Sequence, residues 1–393
     1  YYETYVSQLA GMVGIMKIQP NATAPTVVKH ASASCGCICH TASADGSTLV
    51  SAIGFTGNSG SWDLHNNAAA IANASGNHFT YGGLYPDGSF VVSATDYRTW
   101  EPGQKSRLYD THTGANIATP SWDSVITKSG TPAFSPDGKW IAFNHEDMGG
   151  GHSLAVMAYD PASKTFSGMT DVATAAGATL AWPAFTPDSK YLIYHAGSNA
   201  AFETDENATG DVYAVEIASK TVTRLDALDG YNTGGTYLPA SDPQLSFAPT
   251  VLPEAVGGYF WIVFTSHRSY GNTVPSKQAM DQDGKLWVAA FDLQPTPGVD
   301  PSHPAFFIDG QEMTSDNLRG FWVLDPCQMD GASCTSGDQC CGGYCSTDTS
   351  GNEVCGSTAM GCSHTYDHCD TSADCCDAGD SCINSRCAQP APH

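Results

Sequence analysis

The sequence predicts an all-β chain, a six-bladed β-propeller with seven blades as the alternative count, followed by a small disulfide-rich tail. Two observations predict it. One strand, turn, strand pattern recurs four times at nearly constant spacing, and twelve of the fifteen cysteines crowd into the last 67 of 393 residues.

The repeats are TASADGSTLVSA (41 to 52), GLYPDGSFVVSA (83 to 94), AFSPDGKWIAFN (133 to 144) and AFTPDSKYLIYH (184 to 195). Their aspartates, Asp45, Asp87, Asp137 and Asp188, stand 42, 50 and 51 residues apart, the period of one four-stranded blade with variable loops. Pro suits the first central position of a tight turn, Asp and Gly tolerate the turn itself, and β-branched or aromatic residues follow. Outer strands come from stretches such as SRLYDTHTG (106 to 114), SLAVMAYDPASKTF (153 to 166) and DVYAVEIASKTVTRL (211 to 225). Two degenerate blades follow, one around GYFWIVFTSHR (258 to 268) with KLWVAAFD (285 to 292), and one around PAFFIDGQEMTSDNLRGFWVLD (304 to 325). The last lacks outer strands, while GMVGIMKIQPNATAPTVVKH (11 to 30) has two strands and no inner pair before them. The N-terminal strands are therefore expected to close the ring.

Composition narrows the function. Sixteen basic against forty acidic residues leave a net charge of −24, which repels nucleic acid and anionic membranes. Charged residues make up 14% of the chain, against about 25% in an average soluble protein. No apolar run reaches the roughly 18 residues of a membrane span. The chain opens on Tyr1, with no basic and apolar leader before it, so a processed, exported protein is expected. The cysteine density agrees, because such disulfides persist only in an oxidising compartment. No triad pattern, P-loop, dinucleotide fingerprint or HExxH helix is visible, which points away from an enzyme. GNSGS (57 to 61) reads as a Gly/Ser loop rather than a hydrolase elbow.

On its repeats, with AFSPDGKWIAF the most specific, the stretch from about residue 10 to 326 resembles the TolB-like propellers built from WD40-like repeats. Within them it is most similar to an exported myxobacterial-type group. The resemblance implies a propeller but no particular activity, since propellers host enzymes, receptors and scaffolds alike.

In the tail, gaps of six, five, none, three and nine residues separate Cys327, Cys334, Cys340, Cys341, Cys345 and Cys355. Gaps of six, five, none, five and four separate Cys362, Cys369, Cys375, Cys376, Cys382 and Cys387. Six cysteines alone allow 15 connectivities per copy. The pattern resembles two tandem knottins, which implies bridges first to fourth, second to fifth and third to sixth within each copy. The expected organisation is a propeller over 1 to 326, one knottin-like module over 327 to 357 and a second over 358 to 393. Modules this small lack a self-sufficient core, so three bridges at roughly 2 to 4 kcal/mol each are expected to supply most of their stability.

An even twelve cysteines in the tail leave Cys35, Cys37 and Cys39 of CGCICHTASADG to be explained, with His40 directly after them. Three chemistries compete. Covalent haem takes two thioethers and the following His as iron ligand, normally as CxxCH. Here Gly36 shifts the spacing to CxxxCH from Cys35 and Cys39, with Cys37 as the alternative attachment. Related propellers carry CxxCH followed by SxDG, and this segment resembles a local variant of that. A small copper or zinc site is the second chemistry, since alternate strand positions place three thiolates on one face. The third is a disulfide with one thiol left over.

Aligning Asp45 with Asp87 puts Cys39 and His40 at the start of the innermost strand of the first blade, beside the central channel. His78, His145, Met148, His195 and His267 fall near the same mouth and are candidate distal ligands. Asp205, Asp211, Asp281 and Asp283 could bind Ca²⁺, and acidic turn residues explain them about as well. The expected function is an extracellular or cell-surface propeller carrying haem c for electron transfer or redox sensing. The alternative is a cofactor-free structural or adhesive component, or a filament component. Its partners would be cell-surface proteins or further copies of itself.

Overall fold

A computed structural model describes residues 1–19, 22–31, 40–53, 58–64, 68–74, Phe79, 81–94, 105–145, 151–198, 208–232, 235–236, Leu238, 242–270, Val274 and 284–323; in the tail it describes 330–335, Gly337, Cys340, 344–348, 350–356, Cys369, 371–375, 379–383 and 386–388. The chain forms an all-β propeller of six four-stranded sheets, followed by a cysteine-rich tail. Blade 1 runs outward through Thr41–Ala42, Thr48–Ile53, Asn58–Asp63 and Ala69–Ala74. Blade 2 comprises Gly83–Leu84, Phe90–Val92, Leu108–Asp110 and Asn116–Ile117; blade 3 comprises Ser129–Phe134, Trp140–His145, Ser153–Asp160 and Thr165–Thr174. In blade 4 the strands are Thr179–Phe185, Tyr191–Ser198, Thr209–Glu216 and Val222–Arg224. Blade 5 holds Ser246–Val251, Tyr259–Ser266, Lys285–Asp292 and Phe306–Phe307.

Blade 6 joins the two ends of the ring. Asp316–Leu318 is its inner strand, and Tyr2–Ser7, Met12–Lys17 and Thr26–His30 complete it. The register sets Glu3 opposite Leu318 and Tyr5 opposite Asp316. Closure by N-terminal strands is therefore present, with a different division of labour from the one expected. Three strands rather than two come from the N-terminus, and Phe306–Phe307 pairs with Trp287 and Val288 as the outer edge of blade 5. The segment from 11 to 30 could not reveal its third partner, because Tyr2–Ser7 pairs across more than 300 residues of chain.

The repeated turns have one physical cause. In blade 1, Asp45 Oδ1 accepts from Ser43 Oγ (2.6 Å) and from the Ser47 N–H (2.9 Å). Asp137 and Asp188 accept in the same way from Ser135 and Lys139, and from Thr186 and Lys190. These side chains replace the ladder partners that the turn cannot supply. The core lies between adjacent blades. Val92 and Leu108 of blade 2 pack with Phe134, Ile141 and Phe143 of blade 3, around Trp122 of the short helix Pro120–Asp123. Ile141, Ala142 and Phe143 are all fully buried. Sheets covered on both faces lose the alternation of a half-exposed strand, which is why WIAF reads as a continuous apolar run.

Two compact units can be separated. One contains 1–253, 262–290 and 295–323; the other contains 254–261, 291–294 and 324–393. In the second unit Cys334 bonds Cys345, Cys340 bonds Cys355, Cys369 bonds Cys382 and Cys375 bonds Cys387. These are second-to-fifth and third-to-sixth pairs of each six-cysteine copy. Cys327, Cys341, Cys362 and Cys376, the expected first-to-fourth partners, lie outside the described residues. The four disulfides are consistent with an extracytoplasmic location. Among the described residues no helix is long and apolar enough to cross a membrane.

Candidate functional site

Five blades share a departure from ordinary strand geometry within or directly beside the inner strand. Tyr81, Thr131, Trp182, Ala248 and Arg319 all have left-handed backbones, with φ of 52°, 42°, 56°, 46° and 46°. Register shifts between Gly130 and Ala133, Ala181 and Ala184, and Phe247 and Thr250 mark the resulting bulges. A non-glycine residue held there costs on the order of 1 kcal/mol or more, and such strain concentrates at functional positions.

Neighbouring blades bind the N–H groups that the bulges turn away from their own sheets. Trp182 N donates to Thr131 Oγ1 (3.0 Å), Ala248 N to His195 Nδ1 (2.9 Å) and Arg319 N to Thr265 Oγ1 (3.0 Å). The ring side chains then meet one another. The Arg319 guanidinium carbon lies 3.6 Å from the Trp182 ring centroid and 5.1 Å from that of Phe321, and Tyr81 packs edge-on against Trp182.

His40 sits in the same region, directly before the inner strand of blade 1. It is fully buried. Its Nδ1 lies 3.3 Å from Glu3 Oε2 on the closing strand, and its ring meets Phe321 edge-on at 5.1 Å. Burial pushes the imidazole below its ordinary pKa, against the pull of Glu3 and with a smaller contribution from the Arg319 charge. Burial thus favours the neutral ring in its contact with Glu3. Against an ionised Glu3, which only accepts, a neutral ring carries its proton on Nδ1 and its lone pair on Nε2. Among the described residues that buried Nε2 has no hydrogen-bond partner. A carboxylate behind one ring nitrogen, with the other nitrogen bare, is how metal-ligating histidines are oriented. His40 thus fits the ligand role.

Cys35, Cys37 and Cys39 lie outside the described residues, as do His78, Met148, Asp205, Asp281 and Asp283. In sequence, Cys39 stands six residues before Asp45, as Tyr81, Thr131 and Trp182 stand before Asp87, Asp137 and Asp188.

The other candidates are engaged separately. His145 Nδ1 lies 3.2 Å from Asp171 at the partly exposed end of blade 3. His195 serves Ala248, and Phe247 packs edge-on against both His195 and His267. Asp211 accepts from Tyr231 Oη (3.0 Å) beside Arg224. GNSGS does not form the expected loop, since Asn58–Asp63 is a blade strand. The triplets Cys334, Cys340, Cys355 and Cys369, Cys375, Cys387 are consumed by disulfides and offer no thiolate.

The inner strands and neighbouring residues, Thr131, Trp182 and Arg319 among them, line a channel cavity of about 120 Å³. Sequence reading located His40 but not Glu3, Trp182, Arg319 or Phe321. A lone arginine in the apolar run NLRGFW was the available signal for Arg319.

No protein-family model matches the chain, and no curated protein matches it. Solved structures are distantly similar. TolB from Acinetobacter baumannii is 12% identical with a TM-score of 0.47, the alignment covering 81% of this chain and 64% of that one. The periplasmic gluconolactonase of Pseudomonas aeruginosa is 13% identical with a TM-score of 0.43, covering 82% and 98%. The hydrazine synthase of Kuenenia stuttgartiensis is 15% identical with a TM-score of 0.36, covering 65% of this chain and 62% of that one. The chain thus spans less than two thirds of the hydrazine synthase and Acinetobacter TolB chains it matches.

Proposed function

We propose that this protein is a secreted or cell-surface propeller that carries a c-type haem on CGCICH and serves electron transfer or redox sensing. One observation carries the reading. Directly after three cysteines, His40 is buried and held by Glu3, burial disfavours its charged form, and its Nε2 has no hydrogen-bond partner among the described residues. His40 would be an iron ligand, and Cys35 and Cys39, with Cys37 as the alternative, would hold the porphyrin. Haem, when bound, supplies one-electron chemistry. The chain's own part is to orient the imidazole through Glu3, to keep water from it, and to keep the proton on Nδ1. Its partners would be redox proteins of the same compartment.

The test is covalent attachment. Protein purified from a host that matures c-type cytochromes should show a Soret band and keep one porphyrin after denaturation, because thioethers survive unfolding. His40→Ala should retain the porphyrin and change the iron spin state, whereas Cys39→Ala should lose attachment. Porphyrin-free protein with a Cys35 to Cys39 disulfide would overturn the reading in favour of a cofactor-free adhesive scaffold. Zinc or copper retained until acidification would overturn it in favour of a small metal site.

A further inference from the structure

A column of aromatic rings runs through the core shared by blades 2 and 3, apart from His40 and the cysteines. Trp122 is its fully buried end. Between ring centroids, Trp122 lies 5.0 Å from Phe166, Phe166 lies 4.7 Å from Tyr159, and Tyr159 lies 5.6 Å from Tyr85. Tyr85 is the partly exposed end, stacked on Phe90 at 4.5 Å. A Cβ added to Gly138 would lie 2.5 Å from Tyr85 Oη, so the phenol reaches the turn that carries Asp137.

Charge gives the column a direction. Burial, then the charges of Asp87 and Asp137, raise the Tyr85 phenol above its ordinary pKa. Burial, then Tyr85, Asp87 and Asp160, push Tyr159 up to about 12. Both phenols are therefore protonated at neutral pH. Carboxylates beside a ring favour the loss of an electron from it, so a hole settles at the Tyr85 end. Elsewhere the sign is reversed, since the Trp182 and Trp287 rings lie 3.6 and 5.1 Å from the guanidinium carbons of Arg319 and Arg268. Those positive charges oppose a hole.

We propose that the column carries holes from the blade interior to Tyr85, which serves as an electron donor to one-electron oxidants of the peroxyl-radical class. The peroxyl radical takes one electron from Trp122 and one proton from water, and leaves as the hydroperoxide. Tyr85 returns the electron through Tyr159, with Phe166 as the bridge, and releases its phenolic proton to water. A neutral Tyr85 phenoxyl remains, and Trp122 is restored. This goes beyond the haem reading and uses none of its residues, so the outcome of one does not decide the other.

The test is photo-oxidation of the full chain by tris(bipyridine)ruthenium with persulfate, a one-electron oxidant, followed by peptide mass mapping. Tyr85 should be oxidised more than Tyr270, although Tyr270 is 46% exposed, and Trp122 should stay intact. Tyr85→Phe should raise oxidation of Trp122 several-fold with the melting midpoint unchanged. Tyr159→Phe, which breaks the column and keeps Tyr85, should raise it as well. More oxidation at Tyr270 than at Tyr85 in the unaltered protein would overturn the proposal, because exposure alone dictates that order. So would an unchanged Trp122 yield in folded Tyr85→Phe protein. The wild-type comparison decides the matter even if neither variant folds.

Discussion

His195 Nδ1 accepts a 2.9 Å hydrogen bond from the backbone N–H of Ala248, whose φ of 46° turns that group out of its own strand. A backbone N–H only donates, so Nδ1 is unprotonated and a neutral His195 carries its proton on Nε2. The histidine at the end of the second strand of blade 4 thereby pins the bulge of blade 5. His195→Ala should leave the Ala248 N–H buried without its acceptor and cost about 1 to 3 kcal/mol, measured by urea unfolding. If haem is attached, its spectrum should not change in that variant. A shifted spin state would identify His195 as an iron ligand and refute its assignment as a bulge cap.

Closure of the ring depends on Asn317. Its Oδ1 accepts from Thr4 Oγ1 (2.9 Å) and Ser315 Oγ (2.8 Å), and its Nδ2 donates to the Glu312 carbonyl (2.8 Å) and Gln311 Oε1 (3.2 Å). Asn317→Ala should destabilise the protein by about 3 kcal/mol, because buried groups from both chain ends lose partners together. Thr4→Val, which removes one of these bonds, should cost about 1 kcal/mol. Thermal melting checks both, and equal losses would contradict the assignment of Asn317 as the hub.

Ser189 occupies the turn position that Gly46, Gly88 and Gly138 fill in the first three blades, and it too is left-handed, with φ of 58°. Its hydroxyl is buried without a hydrogen-bond partner among the described residues. Ser189→Gly should therefore stabilise the protein, by up to about 1 kcal/mol once the extra freedom of glycine in the unfolded chain is subtracted. A lowered melting midpoint would contradict this.

Acid should relieve a buried carboxyl pair. Burial, followed by repulsion from Asp211, holds the Asp229 pKa well above its ordinary value against the pull of Arg268; burial likewise raises Asp211. The folded chain then keeps protons that the unfolded chain has released. This contribution to stability is whole below the unfolded value of 3.8 and is lost as pH rises through the higher folded values. Asp229→Asn, which keeps an oxygen for the Val212 N–H, should raise the melting midpoint at neutral pH, with the gain shrinking toward pH 4. A gain that grew on acidification would reverse the sign.

Much of the architecture follows from local chemistry. The Asp turns, the blade period and the both-faces-buried strands such as WIAF depend on interactions within about ten residues, so they are legible in the chain. The tail is legible because twelve cysteines fall into two copies of one order, with gaps of six and five before an adjacent pair. His40 was found by adjacency to the cysteines and by register with Asp45. Tertiary structure alone decided the rest. Glu3 meets His40 only because Tyr2–Ser7 pairs with Asp316–Leu318 across the whole chain. Arg319 meets Trp182 only because blades 4 and 6 present their bulges to the same channel mouth. Those contacts carry no local pattern; they form when ring closure has already paid the entropy of bringing distant strands together.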